Sequence, residues 1–224
     1  MPSFDIVKKT KVSSTFRVEK IKADFDVQND HANERFVGTI EYPEKWNIGV
    51  IVGASGTGKS TIAKEVYGSD AITQHEYTHA SVIDDMPDVD ISTITKMFYA
   101  VGFGSVPSWL KPYNVLSTGE KMRVDLARSM LEKDFIVFDE FTSVVDRNVA
   151  RTACIAINKA VHRLNKQFVA ISCHYDILEW LQPDWVFDTN EMRCFFTTSR
   201  DHKKSSLSNR AGAASGKSLE SIII

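Results

Sequence analysis

The chain has 224 residues, a formal net charge of −2 and 43% hydrophobic residues. Its length is enough to bury a core without disulfides or structural metals, and its charge argues against a strongly basic surface, so direct nucleic-acid binding is not indicated. The three cysteines are far apart and odd in number, which is typical of a reducing compartment. No apolar run reaches the roughly 18 residues of a membrane helix, and the N-terminus lacks the apolar segment of a secretory signal. We therefore expect a cytoplasmic protein without a membrane span of its own.

The first half of the chain shows strand patterns on both sides of one helix. Residues 16–27 and 35–42 alternate between apolar and polar side chains, which predicts half-buried strands. The short apolar run 47–52 predicts a strand that is covered on both faces. A helix is predicted over residues 59–67 and a further short strand over residues 80–83.

In the second half of the chain, helices and apolar strands alternate. The predicted helices are 91–101, 120–132 and 147–166, the predicted buried strands are 135–138 and 168–172, and the predicted edge strands are 185–188 and 194–197. Because continuous apolar strands alternate with helices, we predict an α/β fold with a mostly parallel sheet. Residues 198–224 are rich in serine and basic residues, so we expect a flexible tail after a folded domain of residues 1–197.

A glycine-rich turn joins the predicted strand 47–52 to the helix 59–67 and matches the pattern G-x-x-x-x-G-K-S. The turn and the start of the helix consist of Gly53, Ala54, Ser55, Gly56, Thr57, Gly58, Lys59, Ser60 and Thr61. Glycines let the backbone curl so that successive N–H groups surround a phosphate group. Lys59 can place its charge between the β- and γ-phosphates, where it also assists catalysis, and the Ser60 hydroxyl can bind Mg²⁺. The sequence therefore predicts a nucleoside triphosphate site.

Two acidic residues follow the predicted strand 135–138. Asp139 is expected at the carboxyl edge of the sheet, where α/β proteins bind ligands, and it can also bind Mg²⁺. Glu140 lies one residue further on, where it can orient or deprotonate the water that attacks the γ-phosphate. Acidic residues at strand ends are often only helix caps, but their combination with the phosphate loop favours the catalytic interpretation.

With these two motifs, the chain resembles the ATP-binding cassette (ABC) ATPases over about residues 15–197. The segment 116–120 (LSTGE) resembles the LSGGQ signature of that family, and Asp146 follows the strand acids as in its D-loop. His174 follows a predicted strand, like the switch histidine of the family. Phe25 lies at the end of an early predicted strand, like the aromatic residue that stacks on adenine.

The resemblance implies a P-loop NTPase of the ABC type, with a mostly parallel core sheet, an N-terminal antiparallel β-subdomain and a helical subdomain. It also implies ATP and Mg²⁺ as ligands and a homodimer that encloses two ATP molecules. In such a dimer, Ser117 and Gly119 of one chain would contact the γ-phosphate held by the other chain. Glu140 would orient water, His174 would hold Glu140 and the γ-phosphate, and Asp146 would link the two sites.

The chain departs from the family pattern at several positions. Thr118 and Glu120 replace a glycine and the glutamine of the signature, and Phe141 stands where the family usually has proline. The segment 61–115 between the phosphate loop and the signature is shorter than in ABC transporters, so we expect a shortened helical subdomain.

The glutamine that couples ABC transporters to their membrane partners is not found after the predicted strand 80–83. Asp84 and Asp85 stand there instead. Either carboxylate could reach the metal ion or the attacking water, and we take Asp84 as a candidate metal ligand besides Ser60 and Asp139.

Three longer strings, at residues 106–120, 139–147 and 173–188, look like those of a soluble subgroup of ABC ATPases. Cellular members of that subgroup join the ATPase to an acetyltransferase-like domain, and phage genomes carry relatives. The serine-rich segment 198–224 follows the cassette here, so we expect the acetyltransferase part to be missing. Only ATPase function is therefore carried over to this chain.

Three functions fit these motifs. We favour a soluble ATP-driven switch that acts on an unidentified protein or nucleoprotein partner. The alternative is the nucleotide-binding subunit of an ABC transporter, which the short segment 61–115 argues against. A DNA-repair or chromosome ATPase would need long heptads or zinc modules within the cassette, and the sequence has neither.

Residues 75–79 (HEYTH) also match the zinc-protease pattern H-E-x-x-H. That site needs a helix to bring both histidines to one face, whereas Tyr77 and Thr78 favour a strand. We therefore interpret this match as coincidental.

Overall fold

The computed structural model describes residues 1–11, 13–26 and 31–196. The serine-rich segment 198–224 lies outside these ranges. Within them, the chain forms a two-stranded antiparallel sheet, a five-stranded mixed sheet and seven α-helices. None of these seven helices combines the length and the hydropathy that a bilayer span requires.

The N-terminal sheet consists of β1 (Ser3–Lys11) and β2 (His31–Thr39), which pair antiparallel along their whole length. The Phe4 ring of this sheet meets the Phe187 ring of the larger sheet edge-on, with ring centres 5.8 Å apart. The predicted antiparallel β-subdomain is thus confirmed. Its first strand was not recognised in the sequence, because the prediction placed that strand at residues 16–27.

The strand predicted over residues 16–27 is wrong, because helix α1 (Phe16–Asp24) occupies most of that segment. Thr15 caps the helix by accepting a hydrogen bond from the Val18 amide at 3.4 Å, and residues that favour helix follow. No residue of α1 is buried, so the alternation that suggested a strand does not correspond to a buried face. Phe25 therefore follows a helix, with 72% of its surface exposed.

The larger sheet has the strand order β4-β5-β3-β6-β7. Its strands are β3 (Ile48–Val52), β4 (Phe135–Phe138), β5 (Gln167–Ser172), β6 (Trp185–Asp188) and β7 (Arg193–Phe196). The first four strands of this order are parallel, and β7 adds an antiparallel edge. All residues of β3 are buried, as expected for a central strand that is covered on both faces. The predicted mostly parallel sheet is confirmed.

Helices pack on both faces of this sheet. They are α2 (Lys59–Tyr67), α3 (Ile91–Ala100), α4 (Val106–Trp109), α5 (Thr118–Glu132), α6 (Arg147–Leu164) and α7 (Ile177–Leu181), with short 3-10 turns at Ser69–Ala71 and Tyr113–Val115. Val50 and Val52 face the core that α3, α5, α6 and α7 share, whereas Ile51 faces the core that α2 and the N-terminal sheet share. The four helices predicted from the sequence agree with α2, α3, α5 and α6 to within two residues at each end.

The segment between α2 and α5 contains two α-helices, α3 with ten residues and α4 with four. Asp90 caps α3 by accepting a hydrogen bond from the Thr93 amide at 2.9 Å. The helix buries Ile94, Met97 and Phe98 in the core next to α5. This small helical layer agrees with the predicted shortened helical subdomain.

The strand predicted over residues 80–83 is wrong, because the chain turns there. The Asp84 carboxylate accepts a hydrogen bond from the Ser81 hydroxyl, and the Asp84 amide donates to the Ser81 carbonyl oxygen at 3.2 Å. These local bonds replace the strand ladder. The chain pairs with the larger sheet before this turn, where Ile72 forms an isolated parallel bridge with Val137 of β4.

The packing of β3 against β6 predicts a large cost for one added methyl group. In Gly49→Ala, the new Cβ would lie 2.0 Å from the Trp185 ring, which is fully buried. We expect a loss of about 1–3 kcal/mol in the free energy of unfolding, measured by urea denaturation. The control Gly104→Ala places its Cβ 3.8 Å from the nearest atom, and we expect a change within about 0.5 kcal/mol. Equal stability of the two variants would contradict this packing.

Candidate functional site

The chain curls tightly between β3 and α2. Gly56 and Gly58 have φ angles of 85° and 84°, in the left-handed region that glycine adopts without strain. A Cβ on Gly58 would lie 2.7 Å from the Phe36 ring. No side chain in the described ranges caps the start of α2, so the N–H groups of its first turn, which the helix cannot pair, are available to an anion. The turn thus has the backbone of a phosphate-binding loop.

Hydroxyl groups brace this loop from the end of β6. The Thr57 hydroxyl donates to the Ala54 carbonyl oxygen at 2.9 Å. The Thr189 hydroxyl lies 2.5 Å from the Thr57 hydroxyl and 3.1 Å from the Val52 carbonyl oxygen. A Cβ on Gly53 would lie only 2.1 Å from this Thr189 oxygen. The loop therefore depends on a glycine at its start and on a threonine that the sequence analysis did not identify.

Two polar side chains of α2 reach the loop and the neighbouring strand end. The Lys59 ammonium donates to the Ala54 carbonyl oxygen at 2.7 Å, so its charge lies over the loop. The Ser60 hydroxyl donates to Asp139 Oδ1 at 3.0 Å. A hydroxyl and a carboxylate oxygen are the hard donors that Mg²⁺ prefers, so this pair fits the predicted metal site.

The turn after β4 carries the two acidic residues in succession. The Glu140 amide donates to Asp139 Oδ1 at 2.9 Å, and Glu140 has a left-handed φ of 51°. Asp139 is half-buried, whereas Glu140 is exposed. Phe141 is fully buried, and its amide donates to the Ile171 carbonyl oxygen at 2.8 Å. Phe141, which stands where ABC ATPases usually have proline, therefore anchors the turn through its buried side chain and a backbone hydrogen bond.

The loop and the strand ends surround one cavity of about 430 Å³. It is lined by Lys8, Glu34, Ser55, Gly56, Gly58, Lys59, Ser60, Thr61, Asp139, Glu140, Ser143, Ile171, Ser172 and Cys173. The structure thus brings the predicted phosphate loop and both predicted acids together. Lys8 and Glu34, opposite each other on β1 and β2, were not identified from the sequence, because β1 was not recognised as a strand.

Two further predicted residues lie at neighbouring helix and strand ends. His174 is half-buried, two residues beyond the end of β5, and its amide donates to the Ser172 hydroxyl at 3.2 Å. Because β5 lies between β3 and β4, His174 follows the strand next to the phosphate loop and next to Asp139. Asp146 is exposed and caps α6 by accepting a hydrogen bond from the Asn148 amide at 2.8 Å.

The signature segment forms the start of α5, and none of its residues is among the described residues that line the cavity. Ser117 caps the helix, and the Ser117 amide donates to Glu120 Oε2 at 2.9 Å, which makes a reciprocal capping box. A Cβ on Gly119 would lie 3.2 Å from Val149 of α6. In a single chain, therefore, the described signature residues do not complete the cavity around the phosphate loop.

A polar cluster holds the middle of α5 in place. Asp125 accepts hydrogen bonds from the hydroxyls of Tyr77 at 2.7 Å and Tyr113 at 2.8 Å, and the two tyrosine rings are stacked 3.9 Å apart. Burial raises the pKa of Asp125, against the effect of these two donors. The cluster fixes α5 to the segment before α3, through Tyr77, and to the segment after α4, through Tyr113.

Three sequence matches lie apart from the cavity lining. Asp84 is held in its turn by Ser81, and neither Asp84 nor the exposed Phe25 is among the described residues that line the cavity. Their predicted roles in metal and adenine binding stay predictions. In the H-E-x-x-H match, His75 contacts Ser129 and His79 contacts Asp85, so the two histidines face different partners.

Comparison with known proteins links this geometry to ABC cassettes. No protein-family profile matches the chain. A curated relative, the energy-coupling factor transporter ATP-binding protein EcfA1 of Staphylococcus aureus, is 27% identical, and the match covers 63% of this chain. The chain spans 66% of that relative, just under two thirds of its length.

Solved structures of ABC cassettes share the fold. The ATP-binding cassette MJ0796, solved as a dimer bound to ADP and Pi, has a TM-score of 0.61 and 12% identity, and covers 88% of this chain and 98% of its own. CbiO1 from Clostridium perfringens, part of the ABC transporter complex cbiONQ, has a TM-score of 0.59 and 17% identity, with 94% of each chain covered. The predicted fold class, a P-loop fold of the ABC type, is confirmed.

The brace at the end of β6 predicts a loss of stability when its hydroxyl is removed. Thr189→Val keeps the size of the buried side chain but removes the contacts with Thr57 and the Val52 carbonyl oxygen. We expect the free energy of unfolding to fall by about 1 kcal/mol in urea denaturation. The control Thr152→Val changes an exposed threonine of α6 and should cost less than about 0.5 kcal/mol. A Thr189→Val variant as stable as this control would contradict the bracing role.

Proposed function

We propose that this chain is a Mg²⁺-dependent ATPase of the ABC type. One observation carries the proposal: the Ser60 hydroxyl and the Asp139 carboxylate lie 3.0 Å apart in the same cavity that Lys59 and Glu140 line. A phosphate anchor, a pair of metal-binding oxygens and an exposed carboxylate are the groups that hydrolysis of a phosphoanhydride requires. The likeness to ABC cassettes supports the same reaction.

The phosphate loop binds the triphosphate through its backbone and one lysine. The first N–H groups of α2 lie at the positive end of the helix dipole and face the anion. Lys59 exchanges the Ala54 carbonyl oxygen, now 2.7 Å from its ammonium, for oxygens of the β- and γ-phosphates. Because these donors are held in place before the reaction, they stabilise the transferring phosphoryl group without reorganisation.

Ser60 and Asp139 would hold the metal ion. Mg²⁺ held there would supply positive charge that offsets the negative charge of the transferring phosphoryl group. Asp84 is not among the described residues that line the cavity, so it is the weaker candidate for a further ligand.

Glu140 orients the attacking water and accepts its proton. Glu140 is exposed and lines the same cavity as Lys59 and Asp139, so water in that cavity can reach its carboxylate. His174 hydrogen-bonds the γ-phosphate and holds Glu140, for which its place after β5 is suitable. Phe25 stacks on adenine, and its exposed ring is available for that contact.

A second copy of the chain completes each site. Ser117 and the Gly119 amide of one protomer contact the γ-phosphate in its partner, and Asp146 links the two sites. The signature segment has the exposure that this contact needs, because Ser117 and Thr118 are both exposed. The dimer of the MJ0796 cassette bound to ADP and Pi supports a homodimer with two nucleotides at its interface.

The biological role is that of a soluble, cytoplasmic ATP-driven switch that acts on a protein or nucleoprotein partner. The chain would belong to the soluble subgroup that has acetyltransferase-fused and phage members, from which only the ATPase function is carried over. The small layer of α3 and α4, with ten and four residues, supports this choice. A transporter subunit is the second candidate, because EcfA1 and CbiO1 are both transporter components. Stable copurification of the tagged chain with an integral membrane protein would favour the second candidate, and copurification with soluble proteins alone would favour the first.

The catalytic assignment predicts the behaviour of Glu140→Gln. This variant keeps the phosphate loop, Ser60 and Asp139, so it should bind ATP like the wild type. Its hydrolysis of ATP should fall by about 100-fold or more, because the base that orients water is lost. It should also accumulate as an ATP-bound dimer, detected by light scattering with and without ATP.

The matched control is Glu179→Gln, which removes the same charge from an exposed position on α7. Its ATP hydrolysis should equal that of the wild type. Normal turnover by Glu140→Gln, or a monomer in saturating ATP, would contradict the mechanism.

A further inference from the structure

The start of α5 is held by a carboxylate where the LSGGQ signature has an amide. Glu120 Oε2 accepts hydrogen bonds from the Ser117 hydroxyl at 2.8 Å and from the Ser117 amide at 2.9 Å. Glu120 Oε1 accepts a third hydrogen bond from the Ser108 hydroxyl at 2.7 Å. Ser108 is buried in α4, so the carboxylate is fixed from two sides.

These donors keep Glu120 ionised. Hydrogen bonds from the Ser108 hydroxyl and from the Ser117 amide hold the pKa of Glu120 below its usual range. A negative charge therefore lies beside the exposed Ser117 at neutral pH.

The Ser117 hydroxyl has one proton, and it donates that proton in a hydrogen bond to Glu120. An ionised phosphate oxygen accepts hydrogen bonds and donates none, so it requires that same proton. Serine cannot donate to both acceptors at once. The carboxylate thus competes with a phosphate for the serine proton, and its charge also repels the phosphate.

We propose that Glu120 is a positioning residue that holds Ser117 in a self-capped state and so weakens the ATP-bound dimer. The proposal rests on the function given above, in which Ser117 contacts the γ-phosphate of the partner protomer. Engagement then requires the serine hydroxyl to turn from Glu120 to the phosphate. A glutamine at position 120 has the same shape and supports the same capping box, but it is neutral. It would release the hydroxyl more readily and would not repel the phosphate.

The test measures the dissociation constant of the dimer in saturating Mg²⁺ and ATP by sedimentation velocity. Every variant carries Glu140→Gln, so that hydrolysis does not consume the complex. Adding Glu120→Gln should tighten the dimer by about tenfold, the effect expected for one charged hydrogen bond. ATP binding by the monomer is measured at protein concentrations below the dissociation constant of the dimer. It should not change, because Glu120 is not among the described residues that line the cavity of its own chain.

Two control variants test whether the effect depends on the negative charge at position 120. Glu120→Asp keeps the charge beside Ser117, so it should not tighten the dimer. Glu179→Gln removes one charge from α7 and should leave the dissociation constant unchanged. A merely structural role for Glu120 would move the thermal midpoint of unfolding instead, and that midpoint is measured for each variant.

If Glu120→Gln lowers the thermal midpoint, Ser108→Ala is the second test. It leaves the Ser117 cap in place but removes a donor that offsets the Glu120 charge, so the dimer should become weaker. A tighter or unchanged dimer in Ser108→Ala, or an unchanged or weaker dimer in a stable Glu120→Gln, would overturn the inference. A parent chain that binds no ATP or forms no ATP-dependent dimer would overturn the proposed function, and this inference with it.

Discussion

The parallel pairing of β4, β5 and β3 is the constraint on which the site depends. Parallel strands point in one direction, so the turns that follow them meet at one edge of the sheet. Ser60 and Asp139, 79 positions apart in the chain, thereby come within 3.0 Å of each other. Cys173 lines the cavity at the same edge, and His174 is the next residue in the chain. Burial of β3 on both faces holds this arrangement in register.

The first turns of α2, α5 and α6 differ in whether a side chain caps them. The first turn of α2 has no side-chain cap, so its N–H groups are available to an anion. The first turn of α5 is closed by Ser117 and Glu120, and that of α6 by Asp146. The N–H groups of the α2 turn therefore have no side-chain cap to give up, whereas in the proposed dimer Ser117 would exchange Glu120 for a phosphate oxygen of the partner protomer.

The parts of the site that the sequence predicted are those whose chemistry is local or follows from strand polarity. The phosphate loop is contiguous, and Asp139 ends an apolar strand, so both could be placed on the sheet edge in advance. Thr189 and Lys8 could not be, because they reach the site only through tertiary pairing. Helix α1 was mistaken for a strand because it buries no face, so its apolar residues carry no packing signal. The cap at Thr15 was the local sign of a helix.

The central claim is that this sheet edge binds ATP through the phosphate loop with the help of a metal ion. The most direct measurement is a calorimetric titration of the full chain with ATP, with Mg²⁺ and in its absence. We expect saturable binding of one ATP per chain that Mg²⁺ strengthens and that Lys59→Ala abolishes. No saturation at millimolar ATP, or equal binding by Lys59→Ala, would contradict it.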